Sequence, residues 1–422
     1  MEISRLKLFV LICLVGLSGC RKLPPNMIHL MPAPEIYEGG SINPLPDVHP
    51  LETIPYGGIL FATDREPANK PGSHYLNARG LLLRLGVASL TLGDGEYSWE
   101  ESRRISLQRE RAEDYPLSVT SVEEFGFLEE TYTPFMDPAK VPDDWVVGGQ
   151  RFADAVDAKL AISEKKDVFV YVHGFKTVFE NPLLVAAELW HFLGYDGAFV
   201  AYSWPSTPSL LAYGSDVETA GLSARNLRLF LSFLAQETEA ERIHVVGYSA
   251  GTRVVLGALN QASFRPDPAA LRIGHVILVA SDYDRQLFAA HVLDGLLDVP
   301  ESLTIYESSG DRALGLSTRV FERNRLGQAL EGEVPEKTRK YLIQTEKIVP
   351  INVTEAEGST DGNGHSYFRS SPWVSSDLLM LLMHDLKPQE RGLVRGEGEV
   401  LWSFPPDYIE KLQAAVKARG GL

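Results

Sequence analysis

An α/β protein with a mostly parallel sheet covered by helices on both faces is predicted by three observations. After Lys166, short continuous apolar runs such as DVFVYVHGF (167 to 175) and GAFVAYSWP (197 to 205) alternate with amphipathic stretches. Strands without polar alternation are buried on both faces, which is the habit of parallel sheets. The linking stretches have helical periodicity, as in 215 to 236, where Leu222, Leu227, Leu229, Phe230 and Phe233 mark one face. With 44% hydrophobic and 23% charged residues, the 422-residue chain has the balance of a globular protein.

The elements follow in order. GGILFAT (57 to 63) and LLLRLGVASLTL (81 to 92) are expected strands, the second flanked by Gly and Asp turn residues. Residues 100 to 155 have no clear period and are expected to be irregular. A helix at 181 to 193 carries Pro182 near its first turn. Further strands begin near 242, 275 and 302, in RIHVVGYS, HVILVASDYD and SLTIYESSGD. In such sheets chemistry sits beyond the carboxyl ends of the strands. The expected globular domain runs from 57 to 422.

The amino terminus reads differently. Arg5 and Lys7 precede the apolar run LFVLICLVGL at 8 to 17, which is too short to span a bilayer as a helix and has the length of a signal-peptide core. The run ends in LSGC (17 to 20), which resembles the lipobox of bacterial lipoproteins, in which the cysteine thiol takes up lipid and becomes the first mature residue. Residues 1 to 19 are therefore expected to be a signal peptide, with Cys20 as the lipidation site. Arg21, rather than Asp, follows Cys20, which resembles the outer-membrane sorting pattern of two-membrane hosts. Residues 20 to 56 hold eight of the 26 prolines and are expected to form a semi-extended tether. The expected location is the extracytoplasmic side of the cell envelope.

Composition narrows the chemistry. Forty Lys and Arg against 56 Asp and Glu give a net charge of −16, and no extended basic face offsets it, so a nucleic-acid partner is not expected. Removing residues 1 to 19, which hold Glu2, Arg5 and Lys7, takes the charge to −17. The only cysteines are Cys13 and Cys20, which excludes a disulfide framework, a Cys-rich zinc site and a thiol nucleophile in the body. No HExxH, GxGxxG or phosphate-loop pattern is present, and no cofactor or metal is expected. Residues 312 to 340 hold seven Lys and Arg against four Glu. This excess reads as a solvated helix surface, with attraction to an anionic substrate or lipid headgroups as the alternative.

One segment has the makings of a catalytic centre. The strand IHVV runs into GYSAG (247 to 251), and the helical TRVVLGALNQ follows at once. Strand, tight turn and helix around G-x-S-x-G form a nucleophile elbow: Gly247 and Gly251 let the two backbones approach, and Ser249 stands out on a strained turn. A serine hydroxyl is barely ionised at neutral pH and needs a base, itself oriented by a third group. The chain order for such an elbow is Ser, acid, His. Asp311 ends LTIYESSGD, and His365 lies in the glycine-rich DGNGHSYF after the apolar KIVPINV (347 to 353). Of the other histidines beyond Ser249, His275 opens a strand at the wrong end, and His291 and His384 fall in helical runs. Asp311 is the expected acid, with Asp282 in ASDYD as the alternative. The losing carboxylate is expected to cap a helix or tie loops together. Oxyanion donors are expected from the N–H of Ala250, next to the nucleophile, and of Phe175 in the HGF loop, where His173 is expected to brace the loop.

Taken together, these residues resemble an α/β-hydrolase. The ordered motifs LFATDREP near 61, YVHGF at 171, AYSWPS at 201, VVGYSAGTRV at 245, ASDYDRQLF at 280, ESSGDRALGLS at 307 and GHSYFRSSPWVSSDLL at 364 are similar to those of a bacterial α/β-hydrolase family of unknown function, number 900 in the domain-of-unknown-function series. The likeness covers roughly residues 58 to 390. It implies an α/β-hydrolase fold and a Ser249, Asp311, His365 apparatus, and supplies no substrate. The expected activity is hydrolysis of a small-molecule or lipid acyl ester or thioester. An acyltransferase shares the acyl-enzyme, and a non-catalytic envelope binding protein shares the fold.

Overall fold

A computed structural model describes residues 23 to 418, apart from Ser41, Pro55, Pro71, 137 to 145 and 330 to 334. The expected signal peptide and Cys20 lie outside the described residues. Among the described residues, eleven strands form one sheet: β1 (Met27–His29), β2 (Ile59–Pro67), β3 (Tyr75–Leu92), β4 (Pro116–Phe127), β5 (Asp167–Val172), β6 (Ala198–Ser203), β7 (Arg242–Tyr248), β8 (Ile273–Val279), β9 (Pro300–Glu307), β10 (Ile348–Asn352) and β11 (Trp402–Ser403). Their spatial order is β1-β4-β3-β2-β6-β5-β7-β8-β9-β10-β11. From β2 to β11 every neighbouring pair is parallel, whereas β3, β4 and β1 add an antiparallel edge.

The apolar runs become this sheet because each strand has two faces to bury. On β5, Val168, Val170 and Val172 pack into one core layer with the helices Gly149–Leu160, Tyr213–Glu237 and Gly251–Ser263. Phe169 and Tyr171 point the other way, into a second layer with the helices Glu180–Phe192 and Pro372–His384. Side chains alternate across a strand, so an unbroken apolar run fills both layers at once. Ser249 follows β7, Asp311 follows β9 and His365 follows β10, all beyond the carboxyl ends of parallel strands. Among the described residues, no helix is long and apolar enough to cross a membrane.

Two expectations change. The segment expected as a tether is packed against the body from residue 27 onward. Met27–His29 pairs with Pro116–Ser118 as the edge strand β1. The 3-10 helix Glu35–Gly40 inserts Ile36, which is 0% exposed, and Tyr37, whose hydroxyl donates to the Phe192 carbonyl at 2.6 Å. Proline removes N–H donors and disfavours regular elements, but it leaves interleaved Ile, Tyr and Met free to pack. The stretch expected to be irregular contains the helix Trp99–Ser106, β4 and the helix Gly149–Leu160. A capping box at Ser98 and Glu101 starts the first of these. β4 was hidden because its exposed positions carry Ser, Thr and Glu on a half-buried antiparallel edge.

Candidate active site

Ser249 sits at the turn between β7 and the helix Gly251–Ser263, with φ at 52°. A non-glycine residue at positive φ is strained, and the turn is over-determined by its neighbours. The Ser249 N–H donates to the Val279 carbonyl at 2.9 Å, and its own carbonyl accepts from Thr252 N–H and from Thr252 Oγ1–H. Close approach explains the second elbow glycine. A Cβ on Gly251 would stand 2.3 Å from the His173 carbonyl oxygen, so the helix start and the 173 to 177 loop touch backbone to backbone.

Asp311 and His365 arrive from other strand ends. Asp311 follows β9 and caps the helix Arg312–Phe321, with Oδ1 accepting from Leu314 N–H at 2.9 Å. The loop bearing His365 is pulled over it by the Arg312 N–H, which donates to the Asn363 carbonyl at 3.1 Å. His365 Nδ1 then lies 2.7 Å from Asp311 Oδ2, and His365 Nε2 lies 2.8 Å from Ser249 Oγ. An ionised carboxylate only accepts, so it fixes the proton on Nδ1 and leaves Nε2 to accept from the serine hydroxyl. The Asp311 side chain is 0% exposed and that of His365 is 12% exposed, so the carboxylate is closed off from solvent while the imidazole is not.

Asp282 is not in this line. Its carboxylate accepts from Ser317 Oγ at 2.6 Å, from Arg253 Nε at 3.1 Å and from the Tyr213 hydroxyl. It ties loops together, while Asp284 caps the helix Arg285–Leu293 through Leu287 N–H.

The HGF loop lies against the nucleophile: a Cβ on Gly174 would come within 2.9 Å of Ser249 Cβ. His173 is buried, with Nε2 3.0 Å from the Trp204 carbonyl and Nδ1 2.7 Å from that of Gly174. Burial, with Arg65 beside it, pushes its pKa down to about 3, so the ring is neutral and donates to only one of them. That is a bracing role. Phe175 and Ala250, the expected oxyanion donors, flank Ser249 on the loop and on the helix N-terminus respectively.

Several supporting residues carried no role in the sequence reading. Buried Arg65 donates to Thr177 O at 2.8 Å, Asn77 Oδ1 at 2.8 Å and Ser203 Oγ at 3.0 Å, locking the HGF loop to β2 and β6. The Tyr367 hydroxyl donates to Tyr306 O and accepts from Ala280 N–H, fixing the chain just after His365 to β8 and β9. Tyr248 packs its ring 5.2 Å from His365 and shares a hydrogen bond with Ser366. The available signal was position: Arg65 lies in LFATDREP, Tyr248 in GYSAG and Tyr367 in GHSYF.

The family model described as alpha/beta hydrolase of unknown function (DUF900) matches residues 150–382, more than half of the chain. The match takes in Phe175, Ser249, Asp282, Asp311 and His365, and begins after LFATDREP. No curated protein matches the chain.

Proposed function

The chain belongs to the α/β-hydrolase family of unknown function, and from that premise we propose that it is a serine hydrolase of carboxylic esters or thioesters. One observation carries the reading: an unbroken line of hydrogen bonds from Asp311 through His365 to Ser249 on a strained elbow. Ser249 Oγ attacks the acyl carbonyl while His365 Nε2 accepts its proton, and Asp311 stabilises the resulting imidazolium and holds its orientation. The Ala250 and Phe175 N–H groups donate to the oxygen that becomes negative in the tetrahedral intermediate. His365 then protonates the leaving alcohol or thiol. Water, deprotonated by the same imidazole, attacks the acyl-enzyme and frees the acid.

A fluorophosphonate probe tests the nucleophile directly. Labelling is expected at Ser249, and Ser249→Ala is expected to lower kcat/KM for p-nitrophenyl butyrate by about 10³-fold or more. Folded protein that takes no label, or full turnover by Ser249→Ala, refutes the mechanism.

The proposed location is a membrane surface, through lipid on Cys20. Support comes from the charge, apolar run and LSGC pattern of residues 1 to 20. Since β1 starts at Met27, seven residue steps separate Cys20 from the folded body, a reach of at most about 25 Å. This would hold the body close to the lipid rather than on a long leash. Membrane-fraction association is expected to be lost in Cys20→Ser; persistence after detergent-free washing refutes the anchor.

A further inference from the structure

Beside the triad stands a charge cluster that the proton relay does not use. The Asp282 N–H donates to the Ser249 carbonyl at 3.3 Å, so this cluster is fixed relative to the nucleophile. Its carboxylate faces two guanidinium groups, with Arg253 Nε at 3.1 Å and Arg325 Nε at 3.5 Å. The remaining donors to that carboxylate, Tyr213 and Ser317, bring no negative charge. Asp284, two residues along the chain, accepts from Leu287 N–H and adds its negative charge beside Arg325, and Arg285, which donates to the Arg325 and Gln328 carbonyls, adds a third guanidinium with Glu307 as a nearby negative charge.

The Asp282 carboxylate is shared between the Arg253 and Arg325 guanidinium groups. Among the described residues, the Nη2 atoms of both Arg253 and Arg325 are buried and have no hydrogen-bond partner, and Arg325 is only 2% exposed. Unpartnered buried donors are costly, and proteins seldom keep them without a use. A planar guanidinium is also the group best shaped to meet a carboxylate or phosphate with parallel N–H bonds.

Arg253 lies in the first turn of the helix Gly251–Ser263, which starts two residues after Ser249. The Phe321 ring lies 4.5 Å from the Arg325 guanidinium carbon and 5.5 Å from that of Arg253. Tyr213 joins the cluster to the other side of the site, its ring 4.9 Å from that of Phe175.

We propose that Arg253 and Arg325 form an anion subsite of this active site, and that the substrate is an ester bearing a second, negatively charged group, carboxylate or phosphate. The inference rests on the hydrolase reading for its substrate and on the cluster alone for its anion. With the chain at −16 overall, an anionic substrate is recognised by these fixed donors and not by the general field of the surface.

Binding and turnover separate the two layers. Calorimetric titration of the Ser249→Ala protein with sodium phosphate, and separately with succinate, is expected to show saturable binding of at least one anion. Which anion binds identifies the group. That binding is expected to be lost in Arg253→Gln and in Arg325→Gln on the same background, each checked for native circular dichroism. In the wild type, p-nitrophenyl hemisuccinate is expected to exceed neutral p-nitrophenyl butyrate in kcat/KM by about tenfold, with the ratio collapsing towards one in Arg253→Gln. The anion that binds should inhibit butyrate-ester turnover competitively, which needs no variant and stands even if Arg325→Gln does not fold. Absence of saturable binding by both anions, binding that survives both substitutions, or, where succinate is the anion that binds, a ratio at or below one overturns the subsite. Saturable, arginine-dependent binding in a protein that turns over neither ester leaves the subsite standing and overturns the hydrolase reading instead.

Discussion

Replacing Asp311 by Asn keeps the shape of the side chain and removes its charge, and the surrounding hydrogen bonds dictate the consequence. Oδ1 of Asp311 accepts from Leu314 N–H at 2.9 Å at the start of a helix, a site that demands an acceptor. The Asn carbonyl oxygen is therefore held there, and its NH2 group is turned towards His365. Facing a donor, His365 Nδ1 must become an acceptor, which moves the ring proton to Nε2, where it points at Ser249 Oγ. The serine then has no base. Loss of the correct tautomer in a triad of this kind costs about 10⁴ in kcat, or about 5.4 kcal/mol of transition-state stabilisation at 1.36 kcal/mol per tenfold. The cap survives, so thermal stability should fall little. The assay is kcat for p-nitrophenyl butyrate at neutral pH, alongside the rate of fluorophosphonate labelling. Asp282→Asn is the control, because it removes the counter-charge of buried Arg253 and Arg325. It should cost about 3–5 kcal/mol of folding stability, as expected for a broken buried pair, with turnover of the folded fraction reduced much less than in Asp311→Asn. An Asp311→Asn enzyme within threefold of wild type, or equal kinetic losses in both variants, refutes the reasoning.

Two further outcomes follow from groups outside the triad. Lys159 is buried, donates to the Tyr56 and Gly58 carbonyls, and has no carboxylate beside it, so burial lowers its pKa to about 7. The unfolded chain holds this proton up to about pH 10.4 and the folded chain releases it near 7, so this group's contribution to stability rises with pH across that window and is lost as pH falls through 7. Urea unfolding at pH 7 and 9 should show the stability difference between wild type and Lys159→Met moving by about 2 kcal/mol in favour of wild type at the higher pH, and a pH-independent difference refutes it. Ile36→Ala should lower unfolding stability by about 2–5 kcal/mol, as for a buried aliphatic truncated in a core; a change under 0.5 kcal/mol would mean that the segment is a tether after all.

Local pattern made much of this protein legible. The all-buried strands β5, β6 and β8 announce themselves because a parallel strand covered on both faces has no polar alternation. The elbow is equally local: strand, glycine, serine, glycine and helix occupy a dozen consecutive residues, and the positive φ of Ser249 follows from that turn. The packing of the segment from Met27 to Thr53 is not legible in the sequence, because it uses irregular turns with no period and Tyr37 finds its partner at Phe192, 155 residues away.

The sequence by itself thus determined the parallel core of the sheet, the elbow and the short set of possible partners for Ser249, since backbone geometry and burial pattern depend on near neighbours. Tertiary structure alone decided between Asp311 and Asp282, which end adjacent strands and are equivalent by chain order. The choice turns on where the His365 loop lands, 54 residues from Asp311 and 116 from Ser249, and on the two arginines that already hold Asp282. Contacts between charges that distant in the chain exist only after the core has packed and brought the strand ends together.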